Sequence, residues 1–201
     1  MRAEIKHLSA LIPALLYAAV ALGANPASSQ SLDQVQRDEL MNMREGEMRK
    51  LVVHGQPVEI SSEPYTDKNG ADQILSDSNG RIRLVSFWAT WCAPCRREKP
   101  SLDAVQRDLG GDDFEVIAIA TGRNEPDAIE RFNTDLKITS LDTNLDPKAK
   151  LAQAMRVMGL PVAVVLNRQG QEIARLLGGA DWNSDSARAI VTYLTGLPAT
   201  P

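Results

Sequence analysis

Cys92 and Cys95 are the only cysteines of the chain and stand three positions apart. The residues before them, Leu84-Val85-Ser86-Phe87-Trp88-Ala89, form a near-continuous apolar run, the pattern of a strand buried on both faces. The residues after them, 96–105, read as a helix. The pair therefore sits where a buried strand hands over to a helix N-terminus. Unpaired backbone N–H groups and the helix dipole favour a thiolate there. Three chemistries compete for such a pair. A structural disulfide over so short a loop constrains the unfolded chain weakly. A closed zinc site needs four ligands, and the only histidines are His7 and His54. A redox dithiol accounts for the spacing, the helix start and the lack of other thiols, with the first two left as alternatives.

Phe87-Trp88-Ala89-Thr90-Trp91-Cys92-Ala93-Pro94-Cys95-Arg96-Arg97-Glu98 resembles the active-site segment of thioredoxin-like proteins, most of all the TlpA/ResA branch. A distant segment, Gly159-Leu160-Pro161-Val162-Ala163-Val164-Val165-Leu166-Asn167-Arg168-Gln169-Gly170, is similar to that family's cis-proline loop, strand and glycine turn. The likeness runs over residues 46–197. It implies that Cys92 is the exposed nucleophile and Cys95 the resolving thiol, that Trp91 shields the site, and that Ala93 and Pro94 fix the turn. It implies a cis peptide at Pro161, which keeps metals off the dithiol. Leu160 before it offers its backbone to a bound peptide, strand fashion. Pro100 matches the family's helix-kinking proline. One position departs: the buried aspartate of thioredoxins is Ser86 here, which is no base at neutral pH. In the TlpA/ResA branch an acid three residues past the second cysteine tunes the site, and Glu98 stands there. Its alternative is a first-turn acid complementing the helix dipole. Arg96 and Arg97 read as a solvated face.

The elements that must position these residues follow in order. Residues 1–29 read as a signal peptide or membrane anchor: Arg2 and Lys6 lead an apolar stretch over 8–23, and Ala27-Ser28-Ser29 offers a cleavage site before Gln30. The stretch is a little short of the ~20 residues of a spanning helix. Either outcome places the remainder outside the cytoplasm, in the periplasm, either free or tethered. No cysteine directly follows the leader's apolar stretch, which argues against lipoprotein anchoring. The net charge is −4 and becomes −5 without Arg2, Lys6 and Glu4; an acidic chain with no basic run argues against nucleic acid.

Residues 30–56 read as a helical extension, with one helix over 31–53 that Gly46 weakens. Met41, Met43 and Met48 lie close in sequence, as Cu(I) ligands or as ordinary gap fillers. Residues 57–201 read as the thioredoxin-like domain. A strand is expected over 57–65, a turn at Asp67-Lys68-Asn69-Gly70, a second turn at Asp77-Ser78-Asn79-Gly80 and the buried strand Ile82–Trp88. Gly110-Gly111 closes the active-site helix. A strand over 114–120, a helix over 124–136 capped by Asn124, a strand over 141–145 and a helix over 148–155 follow, the last of these resembling the family's central insertion. Strands Val162–Leu166 and Glu172–Leu177 and a helix over 184–195, capped by Asp181 or Asn183, complete the chain. Strands alternating with helices and ending in a hairpin predict an α/β three-layer sandwich, helices on both faces of a mixed sheet.

The resemblance implies a periplasmic protein-disulfide reductase whose redox centre is the Cys92–Cys95 pair itself, with no other cofactor and no metal. Its partners would be a copper chaperone, the copper subunit of an oxidase or apocytochrome c, with a membrane thiol as electron donor. The cytochrome branch has Glu after the cis-proline, and Val162 here tilts the reading toward copper-site assembly. A copper-carrying or peptide-binding module and a thiol oxidase are the alternatives. A monomer is expected.

Overall fold

The computed structural model describes residues 32–198; the expected leader over 1–29 lies outside them. The chain opens with α1 (Gln34–Asn42), a 3-10 turn at Gly46–Lys50 and β1 (Val52–Val58). A small hairpin of β2 (Tyr65–Thr66) and β3 (Asp72–Gln73) follows, then a 3-10 turn at Leu75–Ser78. The centre is β4 (Ile82–Trp88), α2 (Ala93–Leu109), β5 (Phe114–Thr121), α3 (Pro126–Asp135), β6 (Asn144–Asp146) and α4 (Lys150–Ala154). The chain closes with β7 (Val162–Leu166), β8 (Glu172–Leu177) and α5 (Asp185–Gly196).

The strands make one mixed sheet in the order β1-β8-β7-β4-β5-β6-β2-β3. β4 lies at its centre, parallel to β5 (Val85 opposite Ile117) and antiparallel to β7 (Phe87 opposite Val162). Strand alternation sorts the apolar run into two layers. Leu84, Ala163 and Val165 pack with Leu102 and Val105 of α2 and Ile190 and Leu194 of α5. Val85, Phe87, Val162 and Val164 pack on the other face with Leu151 and Ala152 of α4. The same parity turns Ser86 and Trp88 toward α2. Arg83 interrupts the apolar run yet is fully buried, its guanidinium donating to the Leu75 carbonyl and to Asn79 Oδ1 at 2.7 Å. It thereby staples the second 3-10 turn to the sheet.

Several expected boundaries are corrected. The helix expected over 31–53 ends at Asn42, and Gly46, at φ +51°, turns the chain into the first 3-10 turn. Residues from Val52 onward leave the helical pattern because β8 offers them an edge: Val52 pairs with Arg175. The strand expected over 57–65 is broken: β1 ends at Val58 on one edge of the sheet, β2 begins at Tyr65 one strand in from the other edge, and residues 59–64 cross between them. The Asp67–Gly70 turn does close a hairpin, Gly70 N donating to Asp67 O at 3.0 Å. Of the methionines, Met48 is buried in the main core, Met43 packs against that core and Met41 faces solvent. Ser184, not Asp181 or Asn183, caps α5, accepting from Ala187 N. Among the described residues no helix is long and apolar enough to cross a membrane.

Gly110 ends α2 without the left-handed conformation of a usual glycine cap, at φ −63°. Its lack of a side chain matters for another reason. A Cβ there would fall inside contact distance of the Gln106 carbonyl and side chain, and that side chain accepts from Val116 N at 2.6 Å. Gly110→Ala is expected to destabilise the fold by about 1–3 kcal/mol, read as a lower urea midpoint at unchanged slope.

Candidate active site

β4 ends at Trp88, and four residues later Cys92 is the N-cap of α2, its sulfur accepting from Cys95 N at 3.2 Å. The two cysteines form a disulfide, with Cα atoms 5.2 Å apart. Cys92 is 5% exposed and Cys95 1%, so both are buried and Cys92 is the more open. Pro94 sits in the first turn, where its missing N–H costs no helical bond. Ala93 is exposed and Pro94 half-buried. Thr90 N and Oγ1 both donate to Asn124 Oδ1, at 2.8 and 3.0 Å. Asn124 is therefore spent on holding the approach to the cysteines, and Glu125 takes the cap position of α3 that was expected of it.

The Leu160–Pro161 bond is cis. Leu160 packs against the cluster that contains both cysteines, Trp88 and Phe132, which puts the proline loop beside the disulfide. Pro161 O accepts from Gly178 N at 2.9 Å. A Cβ placed on Gly179 would stand 3.4 Å from Pro94 O, 3.8 Å from Pro161 Cγ and 3.9 Å from Glu98 Cβ. The active-site helix, the proline loop and Glu98 thus converge on one glycine. Met158 (95% exposed) and Leu177 (62%) line a cleft with Leu160 and Pro161, and Trp91, next to Cys92 in the chain, is 68% exposed.

The residues 79–172 match the thioredoxin-like family. Solved structures align over most of the described chain: a thiol:disulfide interchange protein of the thioredoxin family from Chlorobium tepidum (TM-score 0.57, 21% identical, 71% of this chain and 99% of that one) and a secreted thiol-disulfide isomerase from Corynebacterium glutamicum (0.60, 21%, 71% and 92%). The chain has the thioredoxin-like fold, and just under half of its length matches the family. Among curated relatives, the thiol:disulfide interchange protein HelX of Rhodobacter capsulatus is 30% identical over 57% of this chain and 58% of its own. The thiol-disulfide oxidoreductase ResA of Geobacillus kaustophilus is 28% identical over 61% and 69%. The matched stretch thus spans less than two thirds of HelX.

Within this thioredoxin-like site the two residues after Arg97 are both buried and both ionisable. Glu98 is 3% exposed; its Oε1 accepts from Trp182 Nε1 at 2.9 Å and from Ala180 N at 3.3 Å. Burial pushes its carboxyl up to about 7, against the pull of those two bonds and of Lys50 and Lys99. Glu98 is thus a buried, hydrogen-bonded carboxyl rather than a solvated first-turn acid. Lys99 is 2% exposed, its ammonium 3.6 Å from the centre of the Trp88 ring. Burial pulls it down to about 7, against the charges of Asp103 and Glu98. Asp103 spends its carboxylate on Thr139 N and Ser140 N, at 3.0 and 2.6 Å. Ser86 is fully buried and its hydroxyl has no hydrogen-bond partner. Arg96 and Arg97 are exposed; Arg96 pairs with Asp135 at 3.1 Å.

Lys99, Trp182 and Gly179 were not singled out by the sequence reading. Lys99 had a local signal, lying one helical turn past Cys95 on the face of α2 that also carries Leu102. Trp182 had none, since its contact with Glu98 spans most of the domain.

Proposed function

We propose that this chain is a thiol-disulfide oxidoreductase that reduces disulfides in partner proteins outside the cytoplasm. The observation that carries the reading is the Cys92–Cys95 pair at the start of α2, with the cis Leu160–Pro161 bond beside it. In the reduced protein the Cys92 thiolate attacks one sulfur of a substrate disulfide, and the other sulfur leaves with the electron pair and takes up a proton. Cys95 loses its proton and attacks Cys92 Sγ. The second substrate sulfur leaves as a thiol, and the Cys92–Cys95 disulfide forms. Two electrons have passed from the dithiol to the substrate, and a membrane thiol donor returns them. Glu98 is the group that takes the Cys95 proton. The Leu160 backbone pairs with the substrate segment, and Trp91, Ala93 and Pro94 border it. No cofactor beyond the cysteine pair takes part.

The activities named for HelX and ResA support this reading. The substrate class is a protein of copper-site or cytochrome c assembly. Val162, in place of a carboxylate after the cis-proline, favours the copper side. A leader over residues 1–29 delivers the domain to the periplasm, where it works as a monomer.

The test is the equilibrium potential of the pair against glutathione, on the soluble fragment from Gln30. The expected value is nearer ~−270 mV than ~−120 mV, because the Ala-Pro pair between the cysteines supplies no cation to the thiolate. A value at the upper end would make the protein an oxidant of thiols. Binding of one Cu(I) with no reduction of insulin disulfides would make it a copper carrier.

A further inference from the structure

The 3-10 turn Gly46–Lys50 lies outside the residues 79–172 that match the family, yet it reaches the reaction centre. We propose that Lys50 is a positioning residue for Glu98: this turn carries a cation to the cleft beside Pro94 and fixes the loop that holds the carboxylate. The proposal rests on the reading that Glu98 serves the dithiol.

The turn is a built element. Met48 and Leu51 anchor it in the main core, at 1% and 0% exposure. Glu45 N donates to Ser186 Oγ at 3.0 Å, and Ser186 Oγ donates to Met43 O at 2.7 Å, tying the preceding residues to α5. From this base two side chains of opposite charge grip one loop, residues 178–181. The Lys50 ammonium donates to the Gly179 carbonyl, and Glu47 Oε2 accepts from Asp181 N at 2.9 Å. Lys50 and Glu47 stand 3.6 Å apart.

That loop does two things for the site. Gly178 N binds Pro161 O, and Ala180 N binds Glu98 Oε1. Gripping it therefore fixes the proline loop and the carboxylate together. Lys50 and Glu47 also share with Pro94, Glu98 and Arg97 the lining of a cleft of about 470 Å³. The charged and titratable groups around Glu98 are then Lys50 and Glu47 from the turn, Arg97 and Lys99 from its own helix, Asp181 from the loop and the cysteine pair one turn away. Lys50 is the cation among them that also binds the loop holding the carboxylate. The Lys50 side chain is 43% exposed, so solvent screens its charge in part.

The test uses wild type, Lys50→Gln and Lys50→Arg, with the Glu98 side-chain carboxyl followed by 13C NMR against pH in the oxidised protein. The Trp182 Hε1 resonance checks in each variant that the carboxylate's partner is in place. Lys50→Gln is expected to move the Glu98 midpoint up by about half a pH unit, and Lys50→Arg to restore it. The reduced proteins' rate of exchange with 2,2′-dithiodipyridine is expected to shift in pH profile by the same amount. An unmoved Glu98 midpoint in Lys50→Gln overturns the proposal. Glu98→Gln tests the underlying reading separately. Unchanged exchange in that variant removes Glu98 from the chemistry while leaving the NMR result to decide the role of Lys50.

Discussion

Cys92→Ser is expected to lower the rate of disulfide exchange by roughly four orders of magnitude or more, whereas Cys95→Ser is expected to perform the first half of the reaction and stop. The asymmetry follows from where α2 begins. Cys92 is the cap residue, so its sulfur faces the free N–H groups of the first turn and already accepts one of them, from Cys95 at 3.2 Å. Negative charge is stabilised at that position, and the thiolate is the attacking species. A serine hydroxyl keeps the cap but not the ionisation. Cys95 lies inside the helix, is less exposed and follows Leu160 and Trp88 into the packed layer. It reaches a sulfur held at Cys92 and nothing farther out. In Cys95→Ser the mixed disulfide then has no resolving thiol and accumulates as a one-to-one adduct, read by intact-mass spectrometry. Normal turnover by Cys95→Ser would show that Cys95 does not resolve. Both variants are expected to stay folded, because the lost cross-link closed a very short loop.

The parts of this site that were legible in the sequence are those whose signal is local. The run Leu84–Trp88 announces a central strand because both its faces are covered, and the cysteines follow it directly. Pro161 was legible only through a resemblance, since nothing in Gly-Leu-Pro by itself specifies a cis bond. Local signals misled where a distant partner decided the structure. Val52 and Val53 fit the helical pattern expected over 31–53, but pairing with β8 claims them as an edge strand. Asn124 is a good cap residue, and Thr90 takes its side chain instead. Glu98 was found by its spacing from Cys95, while its protonation depends on burial and on Trp182, Ala180 and Lys50, which reach it from two other parts of the chain. Spacing finds the residue; only packing says in which charge state it waits.

That packing has a second consequence, a minimum in folding stability near pH 7. Glu98 and Lys99 are adjacent, both are buried, and burial opposes the charged form of each. For Glu98 the folded carboxyl stands at about 7 against 4.5, so the native state holds its proton longer than the unfolded chain does. Stability is therefore full below pH 4.5 and is lost as pH rises through about 7. For Lys99 the folded ammonium stands at about 7 against 10.5, so the unfolded chain binds the proton more tightly. Its penalty is full below about 7 and is relieved as pH rises toward 10.5. One slope falls into neutrality and the other climbs out of it. Urea unfolding between pH 5 and 9 is expected to trace this dip. Lys99→Met is expected to raise stability at pH 6 by roughly 2–3 kcal/mol and to remove the rising limb, since a chain of similar volume replaces a charge held out of water. Asp103 keeps two backbone N–H partners in that variant, so no carboxylate is stranded. Glu98→Gln is expected to remove the falling limb. A Lys99→Met protein less stable than wild type at pH 6 would mean that the contact with the Trp88 ring outweighs the cost of burying the charge, and that Lys99 belongs with the groups that hold the fold together.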